Sequence, residues 1–154
     1  MPDAVRLATP NDAERLARLL HDFNTEFGTP SPGPAVLAPR VARLLAGDRT
    51  FAVVAGEPII GFGLVTLRPN VWFDGPVALL DELYVAPSHR NRGLGTAMLA
   101  RIESTCRARD VGLVEINVDD GDADARRLYQ RHGYRCSTPD EPEPARYYWR
   151  DLTE

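Results

Sequence analysis

A short glycine-containing segment in the middle of the chain, residues 90–95, connects a predicted strand to a predicted helix. Residues 78–85 form an apolar-rich run before it, and residues 96–103 after it carry apolar side chains at helical spacing. The first turn of a helix has unpaired backbone N–H groups and a partial positive charge, so it favours a bound anion. Gly93 and Gly95 allow the backbone to approach that anion closely, and the two arginines of the segment add positive charge. The segment therefore predicts a site for a pyrophosphate group.

Two common phosphate-binding loops do not fit this segment. A P-loop requires Gly-Lys followed by Ser or Thr, whereas all 18 basic residues of this chain are arginines. A dinucleotide-binding fingerprint requires a third glycine where this chain has Met98, and it follows an early strand rather than one halfway along the chain. What remains is the pattern Arg-x-x-Gly-x-Gly, which begins at Arg90 after a strand that ends in Val-x-Pro.

The rest of the chain alternates between strand and helix patterns, without a repeat or a linker. The predicted order is β-α-α-β-β-β-α-β-α-β-β, and Asn11 with Glu14 predicts a capping box at the start of the first helix. Gly61 and Gly63 predict a bulge in the third strand. The predicted strands are residues 5–7, 50–55, 59–67, 78–85, 111–118, 134–136 and 146–152. Four helices are predicted: the first follows Asn11, the second ends at Gly47, the third follows the glycine segment, and the fourth covers residues 123–132.

A second motif lies near the end of the chain: Ala125-x-x-Leu128-Tyr129-x-x-x-Gly133-Tyr134. Together with Arg-x-x-Gly-x-Gly, it resembles the signature of the Gcn5-related N-acetyltransferase (GNAT) superfamily, and the element order is similar along nearly the whole chain. One position departs from the family pattern, since Asp122 stands where members often have Asn. An aspartate can only accept hydrogen bonds.

The resemblance implies a fold and a domain organisation. We expect an α/β (α+β) GNAT fold over residues 1–154 as a single domain. Its central sheet is expected to be mixed and mostly antiparallel, with six to seven strands and about four helices, and to splay between its two central strands.

The resemblance also implies transfer of an acetyl group from acetyl-CoA, as co-substrate and without a metal, to an amine by direct attack in a ternary complex. In this family the cofactor arm lies between the splayed strands, and we expect the Val85 N–H to polarise the acetyl carbonyl. The residues expected to bind the cofactor are Leu83, Tyr84, Val85, Arg90, Asn91, Arg92, Gly93, Leu94, Gly95, Thr96, Asn117, Asp122 and Tyr129.

Three residues are candidates for proton transfer. An alkylamine is almost fully protonated at pH 7, so a base near the acceptor is needed, and Asp81 and Glu82 are the candidates. Strand alternation predicts that Asp81 shares a face with Leu83, with Glu82 on the other face, and the family often has an acid at the position of Asp81. Tyr129 lies where the family's general acid is found; the alternative is a tyrosine that packs on the cofactor. No histidine has a spacing from Cys106 that would indicate an activating base, which disfavours a covalent mechanism through this cysteine.

The charge balance and the loops favour a small cationic acceptor. The net charge of -4 and the pI near 5.4 make nucleic acid an unexpected partner. Trp72 and Phe73 are candidates for a cation–π wall, although such aromatics more often cap a core or meet a second subunit. An acidic rim is offered by Asp74, Asp119, Asp120, Glu141 and Glu143. The segment from Leu79 to Val85 resembles that of diamine and polyamine acetyltransferases, which implies a polyamine acceptor; aminoglycosides are also possible acceptors, and an amino acid or a protein N-terminus is left open.

Further expectations concern the setting of the protein. No apolar run approaches the roughly 20 residues of a membrane span, and no signal peptide is visible, which together with the two cysteines predicts a cytoplasmic protein. Cys106 and Cys136 show no metal-ligand spacing. A homodimer through the last strands or the aromatic connection is expected from the resemblance. The alternatives are an acyl-CoA-binding sensor of the same fold, and an enzyme that uses a longer acyl chain or a hydroxyl acceptor.

Overall fold

The computed structural model describes residues 4–153, which divide into two compact units at Ile116 and Asn117. The first unit carries one sheet with the strand order β1-β2-β3-β4-β5. The strands are β1 (Val5–Leu7), β2 (Thr50–Ala55), β3 (Gly61–Arg68), β4 (Val77–Val85) and β5 (Leu113–Ile116), and the helices are α1 (Ala13–Glu26), α2 (Pro34–Ala46) and α3 (Leu94–Ala108). Neighbouring strands run antiparallel, except that β4 and β5 are parallel.

Helices cover both faces of the sheet. Helices α1 and α2 bury their apolar side chains on one face, where Leu16, Leu19 and Val41 pack with Phe62 and Tyr84. Helix α3 covers the other face. Each face thus removes apolar surface from water, and this burial is the main source of the unit's stability.

The glycines of β3 allow α3 to lie close to the sheet. A Cβ at Gly63 would lie 2.7 Å from Cδ1 of Ile102, and one at Gly61 would lie 3.2 Å from Cε of Met98. The predicted bulge of β3 at these glycines is wrong: both are in regular register, and the pairing shifts between Leu64 and Val65, where the extra residue belongs to β4. The physical reason for both glycines is therefore helix–sheet packing.

The first helix begins differently from the prediction. A 3-10 turn, Pro10–Asp12, precedes α1, and the Thr9 N–H donates to Oδ2 of Asp12 at 2.8 Å. Both Asp12 oxygens also accept from Arg6, at 2.8 and 2.9 Å. The expected capping pair of Asn11 and Glu14 is thus wrong, because Thr9 and Asp12 form the capping box two residues earlier.

The second unit, residues 117–153 as described, contains helix α4 (Ala123–Arg131) and no strand among those residues. The two strands expected at 134–136 and 146–152 are absent there, so the sheet has five strands rather than six or seven. A strand needs a neighbour that completes its ladder and buries alternate side chains. Here the aromatic side chains at 147–149 are 66 to 84% exposed, and the prolines at 142 and 144 lack a backbone N–H.

Candidate active site

A bulge in the middle of β4 determines where its acidic residues point. Leu64 of β3 pairs with Glu82, and the next residue of β3 pairs with Leu80, so Asp81 is the additional residue of the bulge. The Asp81 carboxylate accepts a hydrogen bond of 2.5 Å from the hydroxyl of Thr66. Thr66 is on the face of β3 that points to α1 and α2, as Leu64 is. The prediction from strict alternation, which put Asp81 on the opposite face from Glu82, is therefore wrong.

The surroundings of Asp81 and Glu82 raise the pKa of both carboxyl groups. Burial raises the pKa of the Glu82 carboxyl, and the nearby charge of Asp81 raises it further. The tip of Asp81 is exposed, yet the surrounding protein still desolvates it and raises its pKa, with the Thr66 hydrogen bond acting in the opposite direction. Carboxyl groups with perturbed pKa values are common at functional sites, which makes both acids candidates for proton transfer.

The end of β4 presents backbone groups away from β3. Ala86 donates its N–H to the Ile60 carbonyl at 2.8 Å, which makes Val85 and Gly61 a non-hydrogen-bonded pair. Hydrogen-bonded and non-hydrogen-bonded pairs alternate along an antiparallel ladder, so Leu83 is also in a non-hydrogen-bonded pair. The N–H and C=O groups of Leu83 and Val85 therefore point away from β3. The recorded pairing of β4 with β5 ends at Leu80, so these groups lie where the two parallel strands no longer pair. β4 thus continues beyond the end of β5 at Ile116, at the place where the resemblance predicts a splay.

The glycine segment follows directly and leads into α3. Asn91 and Gly93 have positive φ values of 62° and 80°, and Leu94 is the first residue of the helix. A Cβ at Gly93 would meet no atom within 4 Å, so it is the left-handed backbone and not a lack of space that favours glycine there. The side chains of Asn91 and Arg92 are exposed. The predicted strand–turn–helix arrangement is thus present.

Arg90 is engaged by other protein groups. Its guanidinium donates to both carboxylate oxygens of Glu26, the last residue of α1, at 2.8 Å each. Its Nε donates to the Val85 carbonyl at 2.9 Å. The Tyr84 hydroxyl also donates to Glu26, at 3.2 Å. Sequence reasoning missed Glu26, and no motif marks it, because the contact joins positions 64 residues apart.

The second unit carries the remaining predicted residues. The Asp122 carboxylate accepts from the Ala125 N–H at 3.1 Å and so caps α4, a role that Asn could also fill. Tyr129 lies on α4, and the centroid of its ring is 5.9 Å from the centroid of the Tyr134 ring. Asn117 follows β5 instead of lying inside it, because the strand ends at Ile116.

The aromatic connection between β3 and β4 lies at the far end of β4 from Val85. A strand of this length spans roughly 27 Å, which argues against a cation–π wall beside Val85 in the same chain. A Cβ at Gly112 would lie 2.4 Å from the Phe73 ring, so Phe73 packs on the turn before β5. Trp72 is 85% exposed.

Two further findings bear on chemistry. Cys106 is 2% exposed, and burial raises the pKa of its thiol, which disfavours it as a nucleophile as predicted. Among residues 4–153, no helix is both long enough and apolar enough to span a membrane.

Comparison with known proteins agrees with this geometry. The acetyltransferase (GNAT) family matches residues 14–134. A crystal structure of a candidate acetyltransferase from Arthrobacter sp. FB24 has 50% identity and a TM-score of 0.90, over 97% of this chain and 96% of that one.

Two curated relatives match over shorter stretches. Mycothiol acetyltransferase of Beutenbergia cavernae is 38% identical over 71 residues, which is 44% of this chain and 24% of that protein. Streptothricin acetyltransferase of Streptomyces lavendulae is 28% identical over 90 residues, 58% of this chain and 46% of that protein. The matches thus span less than half the length of either relative. The family match covers most of the chain, and on that ground the chain belongs to the acetyltransferase (GNAT) family, as its two motifs predict.

Proposed function

We propose that this chain is an acetyl-CoA-dependent N-acetyltransferase that acts on a small, cationic amine by direct attack in a ternary complex. One observation carries the proposal. A single stretch, residues 81–95, holds the bulged acids, the outward-directed backbone of Leu83 and Val85, and the turn into α3. A proton acceptor, a carbonyl-polarising donor and a phosphate site thus follow one another along the chain.

The residues at the end of β4 suit acetyl-CoA, which the family uses and which supplies the acetyl thioester. The N–H and C=O groups directed away from β3 can pair with an extended, amide-containing arm as a neighbouring strand would. In the proposed complex, the Val85 N–H donates a hydrogen bond to the acetyl oxygen, and the backbone of residues 90–96 binds the phosphates. Asn91, Arg92, Gly93, Leu94, Gly95 and Thr96 form this part of the proposed site, with Leu83 and Tyr84 on the strand.

The acids of β4 supply the base in the proposed reaction. The ammonium group of the acceptor loses a proton to Asp81 or Glu82, directly or through water, because only the neutral amine is nucleophilic. The nitrogen then forms a bond to the acetyl carbon as the carbon–sulfur bond breaks. Raised pKa values at both acids support this role, since a base with a pKa closer to that of the amine accepts its proton at a smaller cost.

The second unit supplies the proposed general acid. The Tyr129 phenol donates its proton to the CoA thiolate as it leaves, and Asn117 and Asp122 contribute to cofactor binding. Support comes from the family match, which runs through residue 134 and so includes Tyr129 and its motif. The same match crosses the boundary between the two units, and we take residues 1–154 as one N-acetyltransferase domain.

A cationic acceptor is supported by the charges on the α1 side of the sheet. Burial and the Glu26 carboxylate raise the pKa of the Tyr84 phenol, the charge of Asp22 adds a smaller contribution in the same direction, and Asp81 and Glu82 are directed to the same face. The two curated relatives bear the names of a streptothricin and a mycothiol acetyltransferase, which supports small-molecule acceptors. Polyamine-like and aminoglycoside-like amines are the classes we propose, in a cytoplasmic and dimeric protein.

Turnover against an amine panel tests the proposal. Release of free CoA from acetyl-CoA would be measured with polyamines, aminoglycosides, amino acids and peptides, and binding of acetyl-CoA would be measured by calorimetry. We expect turnover with a polyamine or an aminoglycoside. Tight binding without turnover of any amine would favour a cofactor sensor, and no binding would overturn the assignment of residues 81–95.

A further inference from the structure

The loop that begins at Arg90 is attached to α1 by one carboxylate. The two terminal guanidinium nitrogens of Arg90 each donate to a different oxygen of Glu26, at 2.8 Å. This two-point geometry fixes the orientation of both side chains, unlike a single contact between flexible charges. The exposed fractions of the two side chains, 37% and 29%, leave the pair partly shielded from water.

The remaining polar and aromatic neighbours complete the arrangement. The Nε of Arg90 donates to the carbonyl of Val85, so all three guanidinium nitrogens have protein acceptors. The Tyr84 hydroxyl donates to Glu26 at 3.2 Å, and the Arg90 guanidinium lies 5.4 Å from the centre of the Tyr84 ring. Phe23 of α1 stacks on that ring with a centroid distance of 4.8 Å. The end of α1, the end of β4 and the first residue of the loop thus form one network.

The charges in the network are matched. The Arg90 guanidinium lowers the pKa of the Glu26 carboxyl, and Glu26 in turn raises the pKa of Arg90. Three of the five N–H donors of Arg90 are used in this way and its charge is paired with Glu26, so Arg90 is less available to a phosphate. Arg92, two residues further along, has an exposed side chain in the same loop.

We infer that Glu26 is a positioning residue for the cofactor loop: it holds Arg90, and Arg90 holds the backbone of residues 90–95 in the conformation that binds phosphate. Arg92, and not Arg90, is then the side chain that contacts the anion. This inference rests on the proposed function, since it concerns the acetyl-CoA site.

The two roles of Arg90 predict opposite effects of one substitution. If Arg90 is held by Glu26 to shape the loop, Glu26→Gln weakens the binding of CoA. If Arg90 binds phosphate itself, removal of the competing carboxylate leaves the affinity unchanged or increases it. The sign of the change in affinity therefore separates the two roles.

A double-mutant cycle measures the effect with CoA as the probe. Calorimetry would give the dissociation constant for the wild type, Glu26→Gln, Arg90→Gln, the double variant and Arg92→Gln, with Glu103→Gln, which removes a carboxylate paired with Arg107 within α3, as the matched control. We expect each single change at 26 or 90 to raise the dissociation constant roughly 5- to 30-fold, the double variant to add little, and Arg92→Gln to act independently. Additive effects, or tighter binding by Glu26→Gln, would overturn the inference.

Hydrogen exchange provides a readout that needs no ligand. Glu26→Gln should speed exchange of the Arg90 and Ala97 amides, which are bonded to the carbonyls of Pro87 and Gly93, in the free protein while those of β2 keep their protection. Tyr84→Phe, which removes only one hydroxyl from the network, should show the same change to a smaller degree if Glu26→Gln does not fold. Unchanged exchange would overturn the positioning role. Absence of CoA binding by the wild type would instead overturn the proposed function.

Discussion

At the scale of single residues, the two acids of β4 are neighbours in sequence but have different surroundings. Asp81 lies in the bulge and accepts the Thr66 hydroxyl, which stabilises its ionised form. Glu82 is more buried and has the charge of Asp81 beside it. When two acids interact in this way, the group with the more charged neighbourhood keeps its proton to a higher pH. The Thr66 hydrogen bond favours the ionised form of Asp81, which makes Asp81 the better candidate for the base.

Replacement of the base should lower turnover rather than binding. We expect Asp81→Asn to reduce kcat about 100-fold or more, with a smaller change in the KM for acetyl-CoA, because the amine proton loses its acceptor. The acidic limb of the pH–rate profile, where activity falls as the base is protonated, should disappear in this variant. Steady-state kinetics over pH 5–9 would measure both, with Glu57→Gln, in the turn between β2 and β3, as the control acid. Equal losses in Asp81→Asn and the control would contradict the assignment.

The raised pKa of Glu82 has a consequence for stability. A carboxyl whose pKa is raised by folding binds its proton more tightly in the folded state, so its ionised form opposes folding. The cost is absent below the unfolded-state pKa, grows as pH rises through the folded-state pKa and is complete above it. Glu82→Gln should therefore raise the melting temperature at pH 8 and leave it nearly unchanged at pH 4. Thermal unfolding at both pH values would show this, and a larger gain at pH 4 would reverse the sign and refute the argument.

At the scale of elements, the close approach of α3 to β3 depends on a missing side chain. A Cβ at Gly63 would lie 2.7 Å from Cδ1 of Ile102, which is fully buried. Gly63→Ala should cost about 1–3 kcal/mol of unfolding free energy, since the helix or the side chain must shift. Ile102→Val removes that carbon, so the double variant should recover part of the loss. Chemical denaturation would measure the cycle, with Gly121→Ala, where a Cβ meets nothing within 4 Å, as the control.

The elements that sequence predicts well are those with a complete local pattern. β2 was predicted at its observed bounds, the start of α4 at residue 123 was predicted as observed, and the helix predicted after the glycine segment is present as α3. The bulge at Asp81 could not be placed, because it depends on how two strands pair and leaves no mark in the composition of β4. Glu26 was missed for a similar reason, since only the fold brings it to Arg90. The end of β5 was extended too far because apolar alternation continues after pairing stops.

At the scale of the whole molecule, the last residues of the described chain show an unusual surface. The side chains of Tyr147, Tyr148, Trp149 and Leu152 are each 66 to 85% exposed. Scattered apolar residues are normal on a protein surface, but three consecutive aromatic residues exposed together are typical of a segment that binds another surface. This segment was expected to be a strand, and the sequence has the composition of one. A composition that suits a strand and side chains without burial together suggest that its partner is another molecule.

A second copy of the chain is the partner we predict. The protein should be a dimer at micromolar concentration, and replacement of Tyr148 and Trp149 by Ser should shift it to a monomer, because most of the apolar area that a second copy could cover is lost. Sedimentation equilibrium would measure the mass of both forms. Val71 and Trp72, which are 87 and 85% exposed in the connection before β4, provide a matched control pair. Dissociation by the control pair alone would assign the interface to that connection, and a monomeric wild type at 100-fold higher concentration would refute the dimer, so the exposed aromatics would then need a different partner.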